Sequence, residues 1–345
     1  MTEKKRQNKN YKTMKKVFLA LAAAAMMVSC FGDQTISRSK DGAIVIGSYV
    51  QNSSVRAGEN PTITSESIDA FDVWAFMDRP SGVVFSQERV SKDANGVWSY
   101  ANTAYWSPAH EYFFAALAPV DNANIELALA QTPYIAPEGL GTVTFTNVDG
   151  TVDVLYAEQT VKTPDTITQM APVSLGFKHL LSKVRFSFQN GLENANTSLV
   201  VREIAMTVPG KGSVALTENT FSWVLDTTAP ATVLDFGSMD AGARVLIGEW
   251  ANSDNHRLTI PADGSQEYLV TFKVDIYNGD VLGHTQPMST VVKDCELKAG
   301  KQYNFKAKLT GDNLHLQPIV FDQITVEDWD QEIEYDGGEI NTELK

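Results

Sequence analysis

Val270-Thr271-Phe272-Lys273-Val274-Asp275-Ile276 is the stretch that decides the fold, because apolar and polar side chains alternate in it without a break. Alternation at every second residue puts the apolar side chains on one face of a β-strand and the polar ones on the other. Residues 184–188 and 303–309 repeat the pattern. The sequence therefore predicts antiparallel sheets with one face in solvent.

The remaining chain follows the same pattern of short strands and turns. Residues 112–118 are apolar on both faces and end at Pro119, which predicts a central buried strand. A natural boundary falls at residues 163–171, which are poor in apolar side chains. The predicted fold is all-β, with antiparallel sheets divided between two domains. We assign residues 43–170 to the N-terminal domain and residues 171–330 to the C-terminal domain.

The first 29 residues have the features of a secretory signal peptide. Lys15 and Lys16 precede an uncharged apolar run over residues 17–28. This run is shorter than the roughly 20 residues that a membrane-spanning helix needs, and it has the length of a signal-peptide core. We therefore predict a signal peptide over residues 1–29, with Met14 as the better initiator.

Met27-Val28-Ser29-Cys30 follows this run and resembles the lipobox of bacterial lipoproteins. At a lipobox, a signal peptidase cuts before the cysteine and the thiol receives a diacylglyceryl group. We expect lipidation at Cys30, residues 30–42 to form a lipidated tether, and outer-membrane lipid to be a partner through Cys30. The alternative is a plain signal peptide followed by a chance cysteine.

Charge and cysteine content limit the function classes. The net charge of the chain is −14, and removing residues 1–29 removes seven Lys/Arg and one Glu, which leaves −20. So acidic a chain repels phosphate backbones, which excludes nucleic acid as a partner. Only Cys295 remains besides Cys30, so no intramolecular disulfide is expected. The acidic neighbours Asp294 and Glu296 predict that Cys295 lies at a strand end near solvent.

No catalytic constellation is evident in the sequence. The five histidines lack metal-ligand spacing, and no Gly-x-Ser-x-Gly elbow is present. Gly210-Lys211-Gly212-Ser213 lacks the upstream glycine of a phosphate-binding loop, so we interpret it as a turn. We predict no catalytic residue, no metal site and no cofactor, and hence no enzyme.

Four aromatic residues leave a second function class open. They alternate along predicted strands and could stack on a sugar, although core packing is the commoner role for such residues; they are Trp74, Trp98, Tyr105 and Trp106. The alternative function is thus a surface lipoprotein that binds carbohydrate through a sandwich face. Exposed, coplanar tryptophans would favour it.

Six stretches in a fixed order resemble the fimbrillin family, the lipoprotein-derived subunits of type V pili in Gram-negative anaerobes. They are residues 67–76, 112–119, 153–157, 175–184, 297–305 and 324–329. The resemblance implies two transthyretin-like β-sandwiches in tandem. It also implies that an arginine-directed protease cuts the loop after the first strand, and that a neighbouring subunit supplies a strand to fill the opened groove.

Carried onto this sequence, the resemblance assigns residues 43–50 as the removable first strand. It places the proteolytic processing site at Arg56 and Ala57 by position and residue type. The acidic segment 331–345 is the candidate donor strand, with a frayed solvated tail as the alternative. The implied partners are other fimbrial subunits, joined by donor-strand exchange, and a host or bacterial surface ligand.

The implied function is that of a structural fimbrial subunit or pilus-associated adhesin in a fimbrium at the cell outer membrane. Stalk, tip and anchor positions are equally compatible with the sequence.

Overall fold

A computed structural model describes residues 42–50, 67–79, 82–131, 139–217, 221–315, 319, 321 and 323–328. Nearly every regular element in these ranges is a strand, which confirms the all-β prediction. In chain order the strands are β1 Ile46–Val50, β2 Ala70–Met77, β3 Val83–Lys92, β4 Trp98–Tyr100, β5 Glu111–Ala118, β6 Ile125–Leu129, β7 Gly141–Thr146, β8 Leu155–Lys162, β9 Val173–His179, β10 Ser182–Asn190, β11 Thr197–Val208, β12 Lys211–Leu216, β13 Trp223–Leu225, β14 Thr232–Gly237, β15 Trp250–Asn252, β16 Arg257–Thr259, β17 Ala262–Asn278, β18 Val281–Leu297, β19 Lys301–Leu309 and β20 Gln323–Asp328. A 3₁₀ turn at Asp240–Gly242 and the short helix α1, Gly311–His315, are the helical elements described.

The strands form four sheets. The first has the order β1-β9-β8-β5-β2-β3-β4 and the second the order β13-β12-β7-β6. The third sheet runs β15-β10-β19-β20, with β16 also on β10, and the fourth runs β14-β11-β17-β18. Pairing is antiparallel except for β1 with β9 and β10 with β19, which are parallel. The prediction of antiparallel pairing therefore fails for these two pairs.

The first sheet is apolar on both faces of its central strands, because each face covers a different core. In β2, Phe71 and Val73 point into one cluster, while Trp74 and Phe76 join a second cluster. That second cluster also takes Val143 and other residues of the second sheet, so the first two sheets pack as a sandwich. Residues 112–118 fall in β5, between β8 and β2, as predicted for a central strand.

The third and fourth sheets enclose a separate core. Alternate residues of β10 and β19 point into it, among them Phe186, Phe188 and Phe305, and Val201 and Phe272 of the fourth sheet meet them. The outward residues of β10 and β19 are mostly polar, as the alternation predicted.

The sheets do not divide at residues 163–171. Val173–His179 pairs with β8 and β1 in the first sheet, and β12 pairs with β7 in the second. Residues 211–213 are therefore strand, which corrects their interpretation as a turn. These pairings join segments that are distant in sequence, and local alternation carries no information about them.

Candidate functional site: the seam closed by residues 42–50

Residues 42–50 close a seam between the two ends of the first sheet. On one side Ile46–Val50 runs parallel to β9, with Ile46 opposite Val173. On the other side Ala43 forms an antiparallel bridge with Tyr105, which lies beyond β4. The sheet therefore curls until both of its ends meet this one segment.

Backbone hydrogen bonds hold the segment on both sides. Ile44 N donates to Ala104 O at 2.9 Å, and Trp106 N donates to Gly42 O at 3.0 Å. Across the segment, Val173 N donates to Val45 O at 2.7 Å. Removing the segment would leave each of these partner groups without its bond, at a cost of about 1–3 kcal/mol for every group that stays buried.

The inward side chains of the segment are buried. Ile44, Ile46 and Ser48 are 1%, 2% and 7% exposed, and Val45 between them is half-buried. Ile44 and Ile46 belong to the core inside the curled sheet, together with Val73 of β2. Burying two isoleucines stabilises this arrangement by about 3–6 kcal/mol.

Ser48 is the weak point of this alternation. Its Oγ is buried and has no hydrogen-bond partner among the described residues. A buried hydroxyl without a partner costs free energy that an apolar side chain of similar size would not. The segment is thus well anchored at Ile44 and Ile46 and poorly matched at its third inward position.

Tyr100 of β4 also contacts residues 42–50. Its hydroxyl donates a short hydrogen bond to Ile44 O. Burial raises the pKa of this phenol above its usual value, so it stays protonated as a donor. The sequence did not indicate this contact, and the only available signal was the density of aromatic residues between 98 and 106.

The seam is held by backbone pairing and by the burial of apolar side chains. A strand that leaves it opens an apolar furrow and unpaired backbone groups on both sides, and any strand with apolar side chains at alternate positions can satisfy both. This is β-augmentation, and it needs no side chain with catalytic properties.

Comparison with known proteins identifies the family of this chain. A family model described as fimbrillin-like matches residues 56–329. The chain belongs to the fimbrillin-like family. This family is pilus-related, so this fimbrillin-like chain is a structural protein of the cell surface and not an enzyme. The match begins downstream of the seam segment.

Solved structures include similar folds. A fimbrial protein from Bacteroides vulgatus is 15% identical, with a TM-score of 0.52 over 85% of this chain and 98% of that chain. The fimbrial anchor protein Mfa2 from Porphyromonas gingivalis is 14% identical, with a TM-score of 0.39 over 83% of this chain and 97% of that chain. The first likeness supports the fold alone. No curated protein sequence matches the chain significantly.

Several predicted sites of this fimbrillin-like chain lie outside the described residues. They are the signal peptide over 1–29, Cys30, the processing site Arg56–Ala57 and the acidic segment 331–345. The structure brings the predicted first strand against β9 and residues 104–106. Within the described ranges, no helix is long and apolar enough to cross a membrane.

The predicted aromatic platform does not form in this fimbrillin-like chain. Trp74 and Trp106 are 4% and 8% exposed and belong to two different cores. Trp98 packs against Phe71, with ring centroids 5.0 Å apart, and Tyr105 is the one well-exposed member. The observation that would have favoured carbohydrate binding at these four residues is therefore missing.

Cys295 is buried, contrary to the prediction of a position near solvent. It lies inside β18, where its side chain joins the core between the third and fourth sheets. Burial raises the pKa of the thiol to about 12, with Glu296 adding to the effect. The acidic neighbours were misleading because alternate residues of one strand face opposite sides.

A groove of about 420 Å³ lies between the first sheet and β6. Ion pairs hold its rim: Arg89 Nε is 2.5 Å from Asp72 Oδ1, and Arg89 Nη1 is 2.8 Å from Asp121 Oδ2. Both carboxylates contact the same guanidinium, which raises the pKa of Arg89. These pairs tie β3 to β2 and to the loop after β5, which is a structural role.

Over the part of the chain that the structure describes, no group of acidic, His or Cys side chains is arranged to hold a metal ion.

Proposed function

We propose that this chain is a fimbrial subunit that is exported as a lipoprotein through Cys30 and assembled by strand exchange at the seam. Residues 42–50 occupy the place that a strand of a neighbouring subunit takes in the fimbrium. The observation that carries the proposal is the pairing of this one segment on both sides, with Ile44 and Ile46 buried in the core behind it.

The connectivity of the segment supports its removal. Its partners, β9 and residues 104–106, lie far downstream in sequence, so no short turn ties the segment to either of them. A cut at Arg56, between β1 and β2, separates residues 42–50 from the rest of the subunit. Bound peptide then remains only through its hydrogen bonds and buried side chains, which are contacts that a competing strand also makes.

Segment 331–345 is the proposed donor. It follows β20, the edge strand of the third sheet, and Ile333, Tyr335, Ile340 and Leu344 are its apolar side chains. Ile333 and Tyr335 are two residues apart, which is the spacing at which Ile44 and Ile46 enter the core. Outer-membrane lipid is the second proposed partner. Acyl chains on Cys30 anchor the subunit in it before assembly.

An arginine-specific protease tests the assembly step. The purified chain is incubated with the protease, and its size is followed beside an Arg56→Lys variant and a variant that ends at residue 330. We expect a ladder of multimers that requires both Arg56 and residues 331–345. A clipped chain that stays monomeric, with residues 42–50 still bound, would contradict strand exchange.

Lipidation is tested separately. A Cys30→Ala variant should lose membrane fractionation and incorporation of a palmitate analogue while its sandwich domains still fold. Continued labelling and membrane association of the variant would show that the anchor lies elsewhere.

A further inference from the structure

The outer face of the third sheet carries a set of polar side chains that strand exchange does not use. Strand register aligns them in three rows across the described strands β15, β10 and β19. The rows are Trp250–Gln189–Lys308, Asn252–Ser187–Lys306 and Arg185–Asn304. We call these eight residues the outer-face patch.

The patch differs in charge from the chain as a whole. Its members include Lys306 and Lys308, although the chain carries a net charge of −14. Beyond the Arg185–Asn304 row at the other end, Gln302 pairs with Glu327 of β20. At the β15 margin, Asp240 Oδ1 accepts a hydrogen bond from Asn252 N at 3.3 Å. Positive charge is therefore concentrated at Lys306 and Lys308. Such a local excess of positive charge attracts an anionic ligand that the rest of the molecule repels.

An exposed indole lies in the same patch. Trp250 is 41% exposed, whereas Trp74, Trp106 and Trp223 are nearly buried. Lys306 Nζ lies 5.3 Å from the centroid of the Trp250 ring, so one cation and the indole act at the same place. An exposed tryptophan on a sheet face offers a flat apolar surface beside polar groups.

The amide groups of the patch are held in position. Ser187 Oγ lies 2.6 Å from Asn252 Oδ1 and 2.8 Å from Asn304 Oδ1, and Gln189 Nε2 donates to Gly248 O at 2.9 Å. Fixed amides offer donors and acceptors to hydroxyl groups at little cost in conformational entropy. An aromatic surface, fixed amides and cations together match a ligand with an apolar ring face, hydroxyl groups and negative charge.

We propose that the outer-face patch binds an acidic polysaccharide, one that carries uronic acid or sulfate groups. The indole of Trp250 contacts a sugar ring, Asn252 and Gln189 contact hydroxyl groups, and Lys306 and Lys308 pair with the anionic substituents. This site is distinct from the four aromatic residues considered in the sequence, and it lies on a different sheet from the seam.

Binding of polygalacturonate, dextran sulfate and neutral dextran to the purified chain tests the proposal. Binding of at least one of the two polyanions is expected, weakening as salt is raised because exposed charges are screened, and no binding of neutral dextran. Trp250→Ala should weaken it about tenfold, as expected for loss of an exposed aromatic anchor. Lys306→Gln with Lys308→Gln should weaken it at least as much.

Lys92→Gln is the matched control, because Lys92 Nζ lies 5.2 Å from the ring centroid of Trp98 in a similar cation–aromatic pair on the first sheet. It should leave binding unchanged, and circular dichroism should show that all variants fold. Failure to bind either polyanion at low salt overturns the proposal. An equal loss in Lys92→Gln, or no loss in Trp250→Ala, also overturns it in favour of nonspecific charge attraction. Binding that emerges only after deletion of residues 331–345 overturns it in favour of the acidic segment as the occupant.

Discussion

The core inside the first sheet and the core between the third and fourth sheets are closed in different ways. Residues 42–50 close the first, and they pair in parallel with β9, a strand far downstream in the sequence. The hairpin β17–β18 covers the second, with two antiparallel strands of 17 residues joined across Gly279-Asp280. A parallel pair needs a long connection, whereas a hairpin strand is tied to its partner by a tight turn.

This difference bears on the strand exchange that we propose. After one cut in the chain, residues 42–50 can leave without unravelling a hairpin. A strand of the β17–β18 hairpin cannot leave unless its pairing with the other strand is also disrupted. The account therefore predicts that a mutation in the core between the third and fourth sheets unfolds the protein. A mutation in the seam should release only residues 42–50.

Among substitutions in the two cores, Phe186→Ala should lower the free energy of unfolding most. The Phe186 ring packs against Phe236 and Phe305, with ring centroids 4.8 and 5.5 Å away, so its removal leaves a cavity that the sheets cannot close. We expect the free energy of unfolding to fall by about 3–5 kcal/mol in urea titration. The exposed Val233→Ala is the control and should change it by less than about 0.5 kcal/mol. A small effect of Phe186→Ala would show that this core is not tightly packed.

Ile46→Ala should come next, and its effect should be confined to the seam. The loss of buried methylene groups and the cavity left behind should destabilise the core inside the first sheet by about 2–4 kcal/mol. Hydrogen exchange should accelerate at residues 42–50 and at β9 before it does so in β10 or β19. Val45→Ala, at a half-buried neighbour, is the matched control with a smaller expected effect. Uniform acceleration through both cores would remove the distinction between them.

The sequence predicted the elements better than their partners. Alternation identified β10, β19 and the middle of β17, because a one-sided strand shows its buried face in its own residues. It could not show that β9 returns to β1, or that β12 crosses back to β7, because pairing across long separations depends on the shapes of whole sheets.

The candidate site was predicted in part. The resemblance assigned residues 43–50 as the first strand, and the structure gives Ile46–Val50 as a strand with a bridge at Ala43. The contribution of Tyr100 and of residues 104–106 was missed, since they lie far away in sequence. Burial of Cys295 was missed as well, because the charged neighbours of a strand residue describe the opposite face.

His256 should make the stability of the C-terminal half depend on pH. Burial, and then the charges of Lys183, Arg185 and Arg257, lower the pKa of His256 from 6.5 to about 3. Between those pH values the unfolded chain binds a proton that the folded chain does not, so the free energy of unfolding should fall as pH falls. The loss by pH 5 is about 2 kcal/mol.

Thermal unfolding of His256→Asn at pH 7 and pH 5 measures this effect. The variant should lose less stability than the unaltered chain over that interval. The exposed His284→Asn is the control and should keep the full pH dependence. Identical pH dependence in all three proteins would contradict the buried, neutral state of His256.

Ser48→Val should have the smallest effect and the opposite sign. It removes a buried hydroxyl that has no partner among the described residues and replaces it with an apolar group at the same buried position. We expect a gain of about 1 kcal/mol and slower release of residues 42–50 after cleavage at Arg56. Ser48→Thr adds a methyl group but keeps the hydroxyl, so it should gain less. Destabilisation by valine would mean that the seam has no room for it.

Uptake of a labelled peptide by the clipped chain tests the central claim most directly. The chain is cut at Arg56 and incubated with a fluorescent synthetic peptide of residues 42–50, and native mass spectrometry follows the exchange. The account predicts that one peptide per chain replaces the original segment, and that a peptide with aspartate in place of both Ile44 and Ile46 does not. Retention of the original segment without any uptake, under conditions in which the clipped chain remains folded, would contradict the account.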